Sequence, residues 1–248
     1  MTCPDRITWL GHATVLVELG GVRLLTDPVL RPGVAHLRRA VAPPGAPARL
    51  DAALVSHLHR DHLDLPSLRL LGEIPLVVVP AGAGRALRRL GLPVGELAPG
   101  DAVRLGPIAV RATRAVHDGR RSPVSRPVES VGFLIEGRLR VYFAGDTELF
   151  DGMAELAPVD IALLPVAGWG PSLGPGHMDP EQAARAAALL RPAIAIPIHW
   201  GTFAPIGLRR GRDRLLREPP LEFAEHAARL APGTRVEILQ PGESLALT

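Results

Sequence analysis

The sequence predicts an α/β fold made of two successive halves, and three observations carry that reading. Short apolar or alternating runs of strand length recur along the chain, bounded by Gly and Pro. Helical stretches fall between these runs instead of forming a block of their own. No long linker and no internal repeat divides the 248 residues, of which 47% are hydrophobic, enough to bury a sizeable core.

In the first half, Ile7–Leu10, Thr14–Leu19 and Val22–Thr26 alternate or run apolar over strand lengths. Asp51–Ser56 and Pro75–Val79 read as buried strands. Gly84–Leu90 reads as a short helix, stopped by Gly91 and Pro93. Val103–Arg104 and Ile108–Ala115 are further strands, with His117 just past the end of the second. In the second half, Ser130–Ile135 and Leu139–Ala144 form a pair joined by the hairpin signal Glu136-Gly137-Arg138. Asp160–Pro165 and Ala193–Ile198 are buried strands on either side of an Ala-rich helix, Pro180–Leu190, capped by Asp179. A helix around Leu221–Leu230 follows Pro219-Pro220, and Arg235–Leu239 and Ser244–Leu247 close the chain as strands.

Composition excludes several classes. A single cysteine, Cys3, rules out an internal disulfide and fits a reducing cytoplasm. The start Met1–Arg6 lacks a charged region followed by an apolar run, so no signal peptide is expected, and no apolar stretch is long enough for a transmembrane segment. All 28 basic residues are arginine, which with abundant Ala, Gly and Pro reads as coding bias. The 25 acids nearly cancel them, leaving a net charge of +3, so no nucleic-acid partner is expected. A small-molecule substrate and a cytoplasmic location are expected, with homo-oligomer formation left open.

Chemistry concentrates in His57-Leu58-His59-Arg60-Asp61-His62, then His117, Gly145-Asp146-Thr147 and His199-Trp200-Gly201-Thr202. The first segment puts four potential metal ligands into six residues. Imidazole and carboxylate suit zinc, iron or manganese, and without nearby thiolates a cysteine-type structural zinc site is excluded. His57 and His59, two apart, point to the same side of an extended strand end, whereas on a helix they would diverge by about 200°. Three imidazoles and a carboxylate are costly to desolvate as plain core.

These segments, in this order, resemble the metallo-β-lactamase superfamily over nearly the whole chain. Trp9-Leu10-Gly11-His12-Ala13-Thr14, Thr26-Asp27-Pro28, His177-Met178-Asp179-Pro180-Glu181 and Ile198-His199-Trp200-Gly201-Thr202-Phe203 narrow the likeness to the branch holding N-acylphosphatidylethanolamine phospholipase D and the ascorbate-6-phosphate lactonases. The resemblance implies a single domain, 1–248, with the αββα sandwich: two stacked mixed sheets, helices on the outer faces and a metal site along one edge. It implies two divalent ions, zinc favoured over manganese or iron, with His57, His59 and His117 on one, Asp61, His62 and His199 on the other and Asp146 bridging. A hydroxide shared by the ions would attack a phosphodiester, lactone or ester of a small phosphorylated or lipid-like substrate. An iron-dependent oxidoreductase on the same fold is the alternative.

Around the ligands, Asp61 is also a candidate for handling the proton. His177, in a Gly/Pro-rich loop with Trp169, is a candidate donor to a substrate phosphate or leaving group, or else a surface histidine before a helix. Asp27 and His12 would orient ligands, Asp27 reading equally as a turn-forming Asp-Pro. Arg121 is a candidate phosphate contact, or part of a solvated loop in an arginine-biased protein. His36 and His226 read as surface residues. The loops 29–49, 118–129 and 168–178 would shape the pocket.

Overall fold

The computed structural model describes residues 4–121, 126–168, 170, 173–208 and 211–247. The first half supplies β1 (Arg6–Gly11), β2 (Thr14–Leu19), β3 (Val22–Thr26), β4 (Gly33–Val34), β5 (Leu37–Arg39), β6 (Ala52–Leu54), α1 (Leu65–Leu70), β7 (Val77–Pro80) and β8 (Val94–Leu97). The second supplies β9 (Ala102–Leu105), β10 (Ile108–Asp118), β11 (Glu129–Glu136), β12 (Arg140–Phe143), β13 (Ile161–Pro165), α2 (Pro180–Leu190), β14 (Ile194–Ile198), β15 (Phe203–Pro205), α3 (Arg212–Arg217), α4 (Pro219–Leu230), β16 (Arg235–Val236) and β17 (Ser244–Ala246). No helix among the described residues is long and apolar enough to cross a membrane.

Two seven-stranded sheets form, ordered β17-β1-β2-β3-β6-β7-β8 and β16-β14-β13-β12-β11-β10-β9. Each is mixed in the same way, antiparallel where hairpins join neighbours (Ile7 opposite Val17, Phe133 opposite Phe143) and parallel where a crossover intervenes. The last strand returns to the first, with Leu245 opposite Ile7. The alternation of side chains explains the layering. Leu54 and Val78 face inward, in one cluster with Val15, Val17, Phe133 and Ile135, while their neighbours Ala53, Val77 and Val79 face outward onto Leu68 of α1 and Leu87. On the other outer face, α2 presents Ala183, Ala184, Ala186 and Ala187, all fully buried with Phe223 and Ala227 of α4. The small side chains leave room for close packing. Asp179 caps α2 reciprocally: it accepts from Gln182 N at 2.7 Å, and the Gln182 side chain accepts from Asp179 N at 3.0 Å. The result is the expected αββα sandwich.

Several elements were not legible beforehand. α1 is announced by Asp64, whose carboxylate accepts from Ser67 N, followed by Pro66 in the first turn, a start signal overlooked beside the metal motif. The expected short helix Gly84–Leu90 is present as a 3-10 helix closed by Gly91, whereas a second 3-10 helix, Asp151–Leu156, was not foreseen. A small sheet, β15-β5-β4, joins residues far apart in sequence around Val29, Val34, Leu37 and Phe203.

Two placements differ from expectation. His57 and His59 do not stand on a strand end, because β6 closes at Leu54. The backbone leaves the sheet there: Ser56 N donates to Asp27 Oδ1 (2.7 Å) and Ser56 O accepts from Val131 N (2.9 Å). His117 lies within β10, not beyond it. Strand geometry is prolonged because Val116 N donates to Thr147 Oγ1 (2.9 Å), Val116 O accepts from Glu148 N (3.0 Å), and Asp118 pairs opposite Glu129 past an irregularity.

Candidate metal centre

Strand ends of both sheets and the loops beyond them converge on one cluster. Three of its residues have positive φ without being glycine: His12 (55°), Asp27 (33°) and His199 (64°). They are held there by cross-bracing. His12 O accepts from Trp9 Nε1 (2.8 Å) and from His199 N (2.9 Å), His12 N donates to Thr202 Oγ1 (2.7 Å), and the Trp9 and Trp200 rings stack at 4.8 Å. Asp27 N donates to Leu54 O (2.8 Å), and Thr14 Oγ1 donates to Asp27 O (2.7 Å). Two glycines permit close approaches here: a Cβ on Gly145 would lie 2.7 Å from Ser56 Cβ, and one on Gly176 would lie 2.6 Å from His117 Nδ1.

The partners of each ring determine which nitrogen faces inward. His117 Nδ1 donates to Gly176 O (2.8 Å) and His199 Nδ1 to Ala167 O (2.7 Å), both acceptors only. His62 Nδ1 donates to Asp27 Oδ2 (2.7 Å). Ser56 Oγ donates to Asp27 Oδ2 (2.6 Å) and so accepts from His57 Nδ1 (2.9 Å). In each neutral ring the lone pair is therefore on Nε2, and the four Nε2 atoms point at one another. His62 Nε2 lies 3.2 Å from His199 Nε2, and His117 Nε2 lies 3.1 Å from His59 Nδ1. Asp146 sits between the two groups, 3.1 Å from His62 Nε2, 3.3 Å from His199 Nε2 and 3.9 Å from His57 Nε2. Among the described residues His57 Nε2 and Asp146 Oδ1 are buried without a hydrogen-bond partner. Inward lone pairs, orphaned buried acceptors and carboxylates in one cluster are what a cation-binding site requires, and the donor set fits metal ions.

The electrostatics agree. Burial pushes His12 down to about 3 and His117 down to about 4, and lowers His57 and His59, so these rings stay neutral. Burial also works against the Asp61 and Asp146 carboxylates, yet the surrounding histidines hold both well below the usual range. Burial raises the Asp27 carboxyl, with His62 and Ser56 opposing. His62 is the exception among the buried rings: despite burial, Asp146, Asp27 and Asp61 hold it well above 6.5. Three buried carboxylates call for positive charge there, from a proton or from a metal ion.

A family model described as a beta-lactamase superfamily domain matches residues 22–200. A UPF0173 metal-dependent hydrolase of Desulforamulus reducens is 32% identical over 251 residues, spanning 98% of this chain and 100% of that protein. The chain belongs to the beta-lactamase superfamily, among the UPF0173 metal-dependent hydrolases. This superfamily member matches Igni18, described as a metallo hydrolase of Ignicoccus hospitalis, with a TM-score of 0.74 at 25% identity over 99% of both chains. It also shares the fold, and at 22% identity the fold alone, with CmlA, a diiron beta-hydroxylase of Streptomyces venezuelae (TM-score 0.77, covering 98% of this chain and 54% of that one).

In this superfamily member the cluster floors a cavity of about 500 Å³. All seven candidate ligands meet in the cluster: His57, His59 and His117 form one group, while Asp61, His62 and His199 form another that also includes His12. His12 Nε2 donates to Asp61 Oδ2 (3.1 Å), and Asp27 anchors His62 as described. His177 lines the cavity with Nε2 3.4 Å from Asp146 Oδ2, and its Nδ1 faces Gly174 O and Pro175 O. Arg121 also lines the cavity, but its Nη1 donates to Leu58 O (3.0 Å) and Leu63 O (2.6 Å), bracing the ligand loop. Trp169 lies outside the described residues.

Three contributors escaped sequence reasoning. Ser56 relays between Asp27 and His57. Glu148 Oε1 accepts from Gly176 N (2.7 Å), fixing the carbonyl that orients His117. His36, at the β4–β5 turn, is exposed but lines the cavity mouth. Only Glu148, two residues past Asp146, carried a signal, as an acid beside a ligand motif.

Proposed function

We propose that the protein is a binuclear metal-dependent hydrolase acting on a phosphodiester, lactone or ester of a small substrate. The observation that carries this reading is the orientation of the four Nε2 lone pairs and Asp146 toward two adjacent groups of ligands. His57, His59 and His117 would hold one ion, Asp61, His62 and His199 the other, with Asp146 between them. Zinc suits an imidazole-rich, thiolate-free set, and manganese or iron would fit the same donors. When bound, two such ions supply an acidified water and neutralise charge that develops on the substrate oxygens.

The chain's own residues supply the rest. Asp61 would take up a proton from the attacking water, with His12 Nε2 donating to its Oδ2 and holding the carboxylate in place. His177 turns Nδ1 toward backbone carbonyls and Nε2 toward the cavity, so a proton at Nε2 would go to the leaving group. The apolar wall formed by Val34, Leu37 and Leu173 would exclude bulk water. The family relationship supports hydrolysis over the iron-dependent oxidoreductase reading, and the resemblance to the phospholipase D and lactonase branch supports the substrate class.

Elemental analysis of the purified protein, paired with hydrolysis of bis(p-nitrophenyl) phosphate and of simple lactones, tests the reading. About two ions per chain are expected, with metal and turnover both falling in Asp146→Ala. A folded protein with one ion or none, or iron without hydrolysis, would overturn it.

A further inference from the structure

Of the arginines directly beside the ligand motifs, Arg120 and Arg121 are committed to the protein itself. Arg120 closes on Asp118, Nε to Oδ1 at 2.9 Å and Oδ2 at 3.0 Å. Arg121 braces Leu58 O and Leu63 O. The acid beyond the ligand loop, Asp64, is taken in two-point fashion by Arg31, at 2.8 and 2.7 Å. Arg60 remains. It stands between His59 and Asp61, is exposed, and lines the cavity with both. Among the described residues no hydrogen bond or ion pair engages it. Burial lowers the Arg121 guanidinium, and the nearby charge of Arg60 adds to that.

The rest of the cavity wall is unlike a site for a small polar sugar. Val34, Ala35 and Leu37 come from the β4–β5 hairpin, and Leu173 comes from the loop before His177. An unpaired guanidinium beside the metal ligands and an apolar wall are two halves of one recognition problem. A guanidinium offers a planar fork to a carboxylate or phosphate, and an apolar wall beside it strengthens the pairing relative to open water.

We propose that Arg60 is the anion-pairing residue of this cavity and that the substrate is an amphiphilic organic anion. Its apolar part packs against Val34, Leu37 and Leu173, and a carboxylate or phosphate monoester outside the scissile bond pairs with Arg60. The inference rests on the hydrolase reading and deepens it by naming the substrate class. Arg121 is thereby a brace of the ligand loop, and Arg60 determines specificity.

Calorimetric binding to the metal-loaded full chain tests this without turnover. The probes are α,ω-dicarboxylates from glutarate to suberate, each against the monocarboxylate of the same length. One carboxylate can reach the ions and only the second can report on Arg60. At least one dicarboxylate should bind about three- to tenfold tighter than its partner. That advantage should shrink with added salt and disappear in Arg60→Ala at unchanged metal content. Equal affinities in the wild type, or an advantage that survives Arg60→Ala, would overturn the proposal. Replacing the distal carboxylate with a phosphate monoester distinguishes the two anions, and a larger Arg60-dependent gain for either one supports the proposal and names the group. Failure of every ester and phosphodiester to turn over, with the dicarboxylate preference intact, removes the hydrolase reading alone. Turnover without the preference removes this inference alone.

Discussion

Asp27 shows how a residue outside the ligand set can control it. Its two oxygens accept from Ser56 N, Ser56 Oγ and His62 Nδ1, so one buried carboxylate fixes the orientation of His62 directly and of His57 through Ser56. Partners of this kind typically change metal affinity by about 10- to 100-fold when removed. Asp27→Ala should lower affinity within that range, measured by competition with a chromophoric chelator. Unchanged affinity would mean that packing alone orients His62. The sequence offered Asp27 either as a ligand-orienting residue or as a turn former before Pro28. Only the 2.7 Å approach of His62 Nδ1, from 35 residues away, separates the two.

At the scale of elements, local sequence is a good guide where the stabilising contacts are local. The capping box of α2 joins residues three apart, and the reading of Pro180–Leu190 matches the helix residue for residue. Asp179→Ala should cost about 1 kcal/mol in urea unfolding, and metal content should not change because the cap lies outside the cluster. A loss of metal together with the cap would tie α2 to the site more tightly than the contacts do. The short strands β4, β5 and β15 went unread for the opposite reason. Each has three residues or fewer, too few for a period to show, and β15 reaches β5 only across more than 160 residues of chain. The β4–β5 hairpin shapes the cavity mouth all the same.

Across the whole molecule, the clustered titratable groups couple metal binding to stability. Removing metal leaves His12, His57, His59 and His117 with lowered pKa values. Below about pH 6.5 the unfolded chain protonates these rings while the fold resists, so stability falls as pH drops toward about 3. His62 and His177 are raised, so their contribution is complete below about 6.5 and is lost as pH rises through their folded values. Asp27, raised by burial, opposes the acid-side trend with a single proton against four. The chelator-treated protein should therefore be most stable near pH 6.5, read as the urea midpoint across pH. A midpoint that keeps rising below pH 6 would contradict this balance.

What the sequence determined by itself was the order and spacing of the ligand motifs and the strands that precede them. Those are properties of residue type and short-range period, and they sufficed for the α/β class and, with the family likeness, for the sandwich. Tertiary structure alone decided which imidazole nitrogen faces inward, which arginine braces the loop and which is left unpaired among the described residues, and what walls the cavity. Those outcomes depend on backbone carbonyls such as Ala167 O, Gly176 O and Leu63 O. Every residue carries the same carbonyl, so residue identity cannot announce which one will meet a given side chain.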